Sequence, residues 1–170
     1  MNLTIRKAKA RDIPAICNII AQLTPGVPHD YHEAIAKFEN KIQNNPDYFL
    51  WVVTVELTLS LKTGLFSYMA NYKSQEIVVA TAMMHLQHKL SYNCGTAAHL
   101  EDLVVDKDWR GKGIGSVLVN NAIAVAQVAN AYKIMLTCFP KTIPYYLQFG
   151  FEEHDVGMRL SLKEEYPKEN

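Results

Sequence analysis

The chain has no excess of either charge: 17 Lys and Arg stand against 17 Asp and Glu over 170 residues. That balance excludes the basic stripe on which nucleic-acid binding usually rests, while leaving room for a locally cationic pocket. Cysteine is scarce. Cys17, Cys94 and Cys138 are odd in number and match no metal-ligand spacing, so neither a disulfide framework nor a metal site is expected. Each reads as a small buried apolar residue, and the protein as soluble and cytoplasmic. No apolar run reaches the length of a membrane span, and residues 1–6 alternate like a strand rather than a secretory leader. Repeats, linkers and low-complexity tracts are missing. Two phosphate-binding fingerprints are missing as well: no Gly-Lys-Ser/Thr ends a glycine-rich loop, and no G-x-G-x-x-G opens a helix.

What is present suffices for one core. The composition is 49% hydrophobic, which suits a single domain over residues 1–170. Leu3–Lys7 reads as a strand. Asp12 reads as the N-cap of a helix carrying Ile13, Ile16, Ile19, Ile20 and Leu23, with Pro14 tolerated in its first turn. A second helix is expected from Tyr31 to about Gln43. Strands follow over 48–56, 77–88 and 100–105, rich in β-branched and aromatic residues, with 57–74 as an inserted hairpin or loop. Gly95–Ala98 reads as a loop of small residues. A helix over 116–131, a strand over 133–138, a short helix over 142–149 and a closing strand over 158–162 complete the order. The expectation is a mixed α/β fold: a mostly antiparallel sheet, one parallel crossover, and helices on both faces.

The most informative residues are Arg110-Gly111-Lys112-Gly113-Ile114-Gly115, between a buried strand and a helix. A helix start offers unpaired N–H groups and a positive dipole end. Glycines allow positive φ and close backbone approach, so Gly111 to Ser116 could converge on an anion, with Arg110 and Lys112 adding charge at the rim. The plain alternative is a glycine turn that merely connects strand to helix.

Arg110-x-x-Gly113-x-Gly115 resembles the acyl-CoA-binding signature of the GNAT superfamily, Gln/Arg-x-x-Gly-x-Gly/Ala. Tyr146-Leu147-Gln148-Phe149-Gly150-Phe151 resembles that superfamily's later Tyr-x-x-x-Gly-Phe. Within it, His99-Leu100-Glu101-Asp102-Leu103-Val104-Val105, Tyr132-Lys133 through Cys138, and Tyr145-Tyr146 are similar to the glucosamine-6-phosphate N-acetyltransferase family. This resemblance implies acetyl-CoA as cofactor, no metal, and direct transfer between two bound substrates. It implies a bulged strand in which backbone at Leu103, Val104 and Val105 pairs with the pantetheine arm, and Thr142 nearby. Tyr146 would give a proton to the departing sulfur. Glu101 and Asp102 would contact the amino sugar, and either could help take the amine's proton. Consecutive strand residues face opposite ways, so both reach one site only if the strand is distorted. Tyr132 and Lys133 would contact the sugar phosphate across a homodimer interface, with Thr24 and Lys89 as further substrate contacts.

The chain also departs from that family. Thr137 stands where an acidic residue is usual, Tyr92 where His is, Thr142 where Asn is, and Ser161 where a late Arg is. Arg159, two residues before Ser161, would share its strand face and could take over the phosphate contact. The CoA turn is untouched by these changes. The acceptor is then glucosamine 6-phosphate or another amine, and a CoA-binding module without catalysis is the reading from a different class.

Overall fold

The computed structural model describes residues 2–23, 30–59, 73–160 and 162. Thr24, Ser161 and the tip of the expected insertion, 60–72, lie outside the described residues. The elements are β1 (Leu3–Lys7), α1 (Ile13–Ile20), α2 (Tyr31–Lys41), β2 (Tyr48–Leu59), β3 (Lys73–His88), α3 (Ser91–Cys94), β4 (Thr96–Val105), α4 (Ile114–Val128), β5 (Ala131–Leu136) and α5 (Ile143–Leu147). The sheet order is β1-β2-β3-β4-β5. Pairing is antiparallel except between β4 and β5, which run parallel on either side of α4. No described helix is long and apolar enough to cross a membrane.

The sheet is buried on both faces, which is why residues 49–55 read as a nearly continuous apolar run. Trp51, Val53 and Val55 pack with Ile114, Leu118 and Ala122 of α4. Leu50 and Val52, pointing the other way, pack with Ile13, Ile16 and Cys17 of α1 and Phe38 of α2. The short α3 is a left-handed turn, with φ of +53°, +56° and +58° at Tyr92, Asn93 and Cys94.

Several expectations need correction. β4 begins at Thr96, not Leu100, because Ala97 and Ala98 are fully buried and hydrogen-bonded between two strands rather than looped. α4 starts at Ile114, where Gly113 (φ +76°) has already turned the chain, and stops before Asn130, whose φ is +53°. Asp12 does not cap α1. Its carboxylate points back to accept from Lys9 N (2.8 Å) and from both terminal nitrogens of Arg6 (2.7 and 3.0 Å). Cys94 is exposed rather than buried. The closing strand does not form among the described residues: Asp155 (φ +58°) kinks the chain, and Val156, Met158, Leu160 and Leu162 are all at least 83% exposed.

Candidate active site

The glycine turn and the end of β4 form one unit. Gly111 and Gly113 hold φ of +75° and +76°, and a Cβ at either would meet nothing within 4 Å. Glycine is needed there for the backbone angle, and the space in front stays open to a ligand. Gly115 serves another purpose: its Cβ would lie 2.6 Å from the Tyr145 hydroxyl. The first helical bond of α4 runs from Val117 N to Gly113 O, so the N–H groups of Ile114, Gly115 and Ser116 precede the ladder. The two cations brace the loop. Arg110 donates to Val105 O (3.0 Å) and Gln22 Oε1 (3.1 Å), and Lys112 donates to Asp108 O (3.0 Å) while lying over the Trp109 ring.

Gln22 was invisible to sequence reasoning. Just past α1, it donates to Asp106 Oδ2 (3.0 Å) and accepts from Lys107 N and Arg110. It ties the first helical layer to a turn nearly ninety positions away, and no local motif signals that contact.

β4 is irregular where the acidic pair sits. Its register against β3 passes from Glu101↔Met83 to Val104↔Thr81, three residues against two. The extra residue falls at the bulge, and Asp102 has φ +49°. The strict alternation that would separate Glu101 from Asp102 is thereby broken. Asp102 is reached by solvent, yet surrounding protein raises its carboxyl above the ordinary range and the Glu101 charge raises it further. β4 also parts from β5 here. Their ladder ends at Leu100↔Leu136, while β4 runs on to Val105. Among the described residues, Val104 and Val105 therefore have strand partners on the β3 side alone, and Leu103 lies in the bulge between the paired positions.

Tyr145 packs edge-on against Tyr146 and Phe149, and Tyr146 against Phe151. Burial, with Tyr145 and Cys138 adding, pushes the Tyr146 phenol up to about 12. Among the described residues the Tyr145 hydroxyl is buried without a hydrogen-bond partner; burial raises its pKa and Ser116 tempers the rise. Thr142 turns its hydroxyl back to the chain, donating to Phe139 O (2.8 Å) just ahead of α5.

The other sequence-derived positions gather at the far end of β4. Lys133 pairs with Ala97 and Lys89 N donates to Gly95 O. Tyr132 stacks on Tyr92 with centroids 4.6 Å apart, and Lys133 Nζ lies 5.7 Å from the Tyr132 ring. Four residues of strand separate the Lys133 register from Glu101, about 13 Å at the usual rise. Thr137 follows Leu136, opposite Glu101 across the split. Arg159 is exposed in the irregular tail.

A parallel β4–α4–β5 unit opened by a glycine turn, with a bulged β4 splayed from β5, is a specific combination. Residues 20–151 match the model of the acetyltransferase (GNAT) family. The chain belongs to this family. A glucosamine 6-phosphate N-acetyltransferase of Candida albicans is 39% identical over 82 residues, which cover 48% of this chain and 55% of that protein. The chain thus spans little more than half the length of that relative. A glucosamine 6-phosphate N-acetyltransferase of Oryza sativa is 27% identical over 92% of this chain and 85% of its own length. The solved structure of the Arabidopsis thaliana glucosamine-6-phosphate N-acetyltransferase shares the GNAT fold, with a TM-score of 0.75 and 24% identity over 96% of this chain and 100% of that one.

Proposed function

We propose that this GNAT chain transfers acetyl from acetyl-CoA to the 2-amino group of glucosamine 6-phosphate, giving N-acetylglucosamine 6-phosphate for UDP-N-acetylglucosamine synthesis. The observation that carries this is the acidic bulge, Glu101-Asp102, set between an open glycine turn and a split sheet. The relatives' activity supplies the substrate. The turn fits CoA on three counts: open space in front of Gly111 and Gly113, N–H groups ahead of the α4 ladder, and an orphaned hydroxyl on Tyr145. Bound acetyl-CoA would supply an activated acetyl thioester.

Each residue then has a physical role. The N–H groups of Ile114 to Ser116 hold the pyrophosphate at the positive end of α4. The backbone of Leu103 to Val105, beyond the end of the β5 ladder, would hold the pantetheine arm. An N–H there polarises the thioester carbonyl, a contribution worth about 10²–10³ in rate. Tyr146, protonated at any working pH, gives its proton to the sulfur, and Glu101 and Asp102 orient the amine. Holding both reactants in line supplies much of the remaining acceleration.

The same reading makes the enzyme a cytoplasmic homodimer with shared sites. The resemblance to the family calls for a phosphate contact from across a dimer interface. A second chain's Tyr132 and Lys133 meet that need, with Lys89 alongside. The exposed apolar residues 156, 158, 160 and 162 argue for the same second copy as their cover.

Release of free CoA from acetyl-CoA with glucosamine 6-phosphate, against unphosphorylated glucosamine, tests the reading. Fast release with the phosphate alone is expected. Release with neither, alongside turnover of another small amine, would overturn the acceptor and favour the second reading, which Thr137 and Tyr92 support as departures at the acceptor end.

A further inference from the structure

A row of four residues crosses the sheet one step from the acidic bulge. Tyr48 of β2 pairs with His85 of β3, His85 with His99 of β4, and His99 with Met135 of β5. The rings are stacked: Tyr48 on His85 at 5.6 Å and 22°, His85 on His99 at 4.9 Å and 12°. Gln87, two residues beyond His85, accepts from His99 Nε2 through its Oε1 at 3.1 Å. That bond puts the proton of the neutral ring on Nε2 and leaves Nδ1 as a lone pair. His99 stands two residues before Glu101 on β4, so the two share a face ahead of the bulge.

We infer that His99 is a positioning residue of the acceptor site: neutral, it leaves Glu101 free for the acceptor's ammonium, and protonated, it captures that carboxylate. The inference rests on the reading of Glu101 as an acceptor contact. The proton comes from hydronium in the solvent and adds to Nδ1, leaving water and giving an imidazolium beside Glu101. The stack makes this charge unfavourable, since a cation against the face of His85 gains nothing that water does not offer. Burial holds the His99 ring below its ordinary pKa, His85 lowers it further, Lys89 and Lys133 act in the same direction, and Glu101 alone opposes them. The neutral, permissive state therefore prevails at neutral pH and is lost on acidification.

The two neighbours pull in opposite directions, which gives a test with opposite signs. The ring C2 protons of the full chain are followed by NMR from pH 5 to 8 in the wild type, Glu101→Gln and His85→Phe, the last keeping an aromatic stack. Expected is a His99 midpoint that falls in Glu101→Gln and rises in His85→Phe. In the wild type, KM for glucosamine 6-phosphate should rise several-fold below that midpoint with kcat little changed, and in His85→Phe this limb should move to higher pH with the midpoint. A His99 midpoint indifferent to Glu101→Gln would overturn the inference, as would a KM limb that stays put while the midpoint moves. If glucosamine 6-phosphate proves no substrate, the functional reading fails and the two NMR titrations still decide the coupling.

Discussion

Two tyrosines adjacent in sequence do different work, and single substitutions separate them. Tyr146→Phe removes a phenolic proton and little volume. Turnover should fall by about 10²–10⁴, the span of general acid catalysis, while the acetyl-CoA Kd barely moves; steady-state rates and a binding isotherm check this. Because the phenol titrates near 12, an alkaline limb below about pH 11 would not belong to it. Tyr145 instead fills the space that Gly115 leaves. Gly115→Ala forces a Cβ against its hydroxyl and should destabilise by about 1–3 kcal/mol, as overpacking does. The next nearest ring atom is Tyr145 Cζ at 3.5 Å, so adding Tyr145→Phe should recover most of the loss. Tyr145→Phe alone should be close to neutral, since the hydroxyl it deletes is buried and unpartnered. Urea unfolding of the three variants measures this cycle. A double variant as unstable as Gly115→Ala would mean that the hydroxyl is not the obstacle.

At the scale of elements, the glycine turn is held by a residue outside it. Gln22 fastens Asp106, Lys107 and Arg110 to the end of α1. Gln22→Ala should raise the acetyl-CoA Kd several-fold through a looser turn, with little change in KM for the acceptor, which the proposed function places at the bulge; calorimetric titration and acceptor kinetics separate the two. Equal losses in both would point to general loosening of β4. What the sequence disclosed follows the reach of its signals. The turn and α4 were legible because glycine spacing and helical periodicity are local, and the bulge was implied by the family resemblance that the local Glu101-Asp102 pair carries. The start of β4 was not, because Ala97 and Ala98 look like loop residues until two strands bury them. Gln22, the tie of Gly115 to Tyr145 and the His85–His99 stack were not either, since each joins segments far apart in the chain. Asp12 was misread because its partner Arg6 precedes the helix that Asp12 was expected to cap.

For the whole molecule, the proposed sharing of sites between two chains carries the strongest prediction. Glu101 and Lys133 lie about 13 Å apart along one strand pair, and the proposed function draws them to one site from two chains. If so, lesions at the two positions complement. Glu101→Gln and Lys133→Ala, each assayed alone below the wild-type acceptor KM, should be nearly inactive. Mixed and allowed to exchange subunits, half of the dimers become heterodimers. In each, one site carries both lesions and the other neither, so about a quarter of wild-type activity should return. A mixture whose rate stays at the mean of the two variants would mean that each chain completes its own site. In the proposed dimer the tail offers an independent handle on the interface. Replacing Met158 and Leu160, 97% and 83% exposed, by Ser removes nothing from the core of a lone chain and should leave its fold intact. It should nevertheless weaken the dimer, so sedimentation should report monomer, and the quarter recovered by mixing should vanish at the same protein concentration.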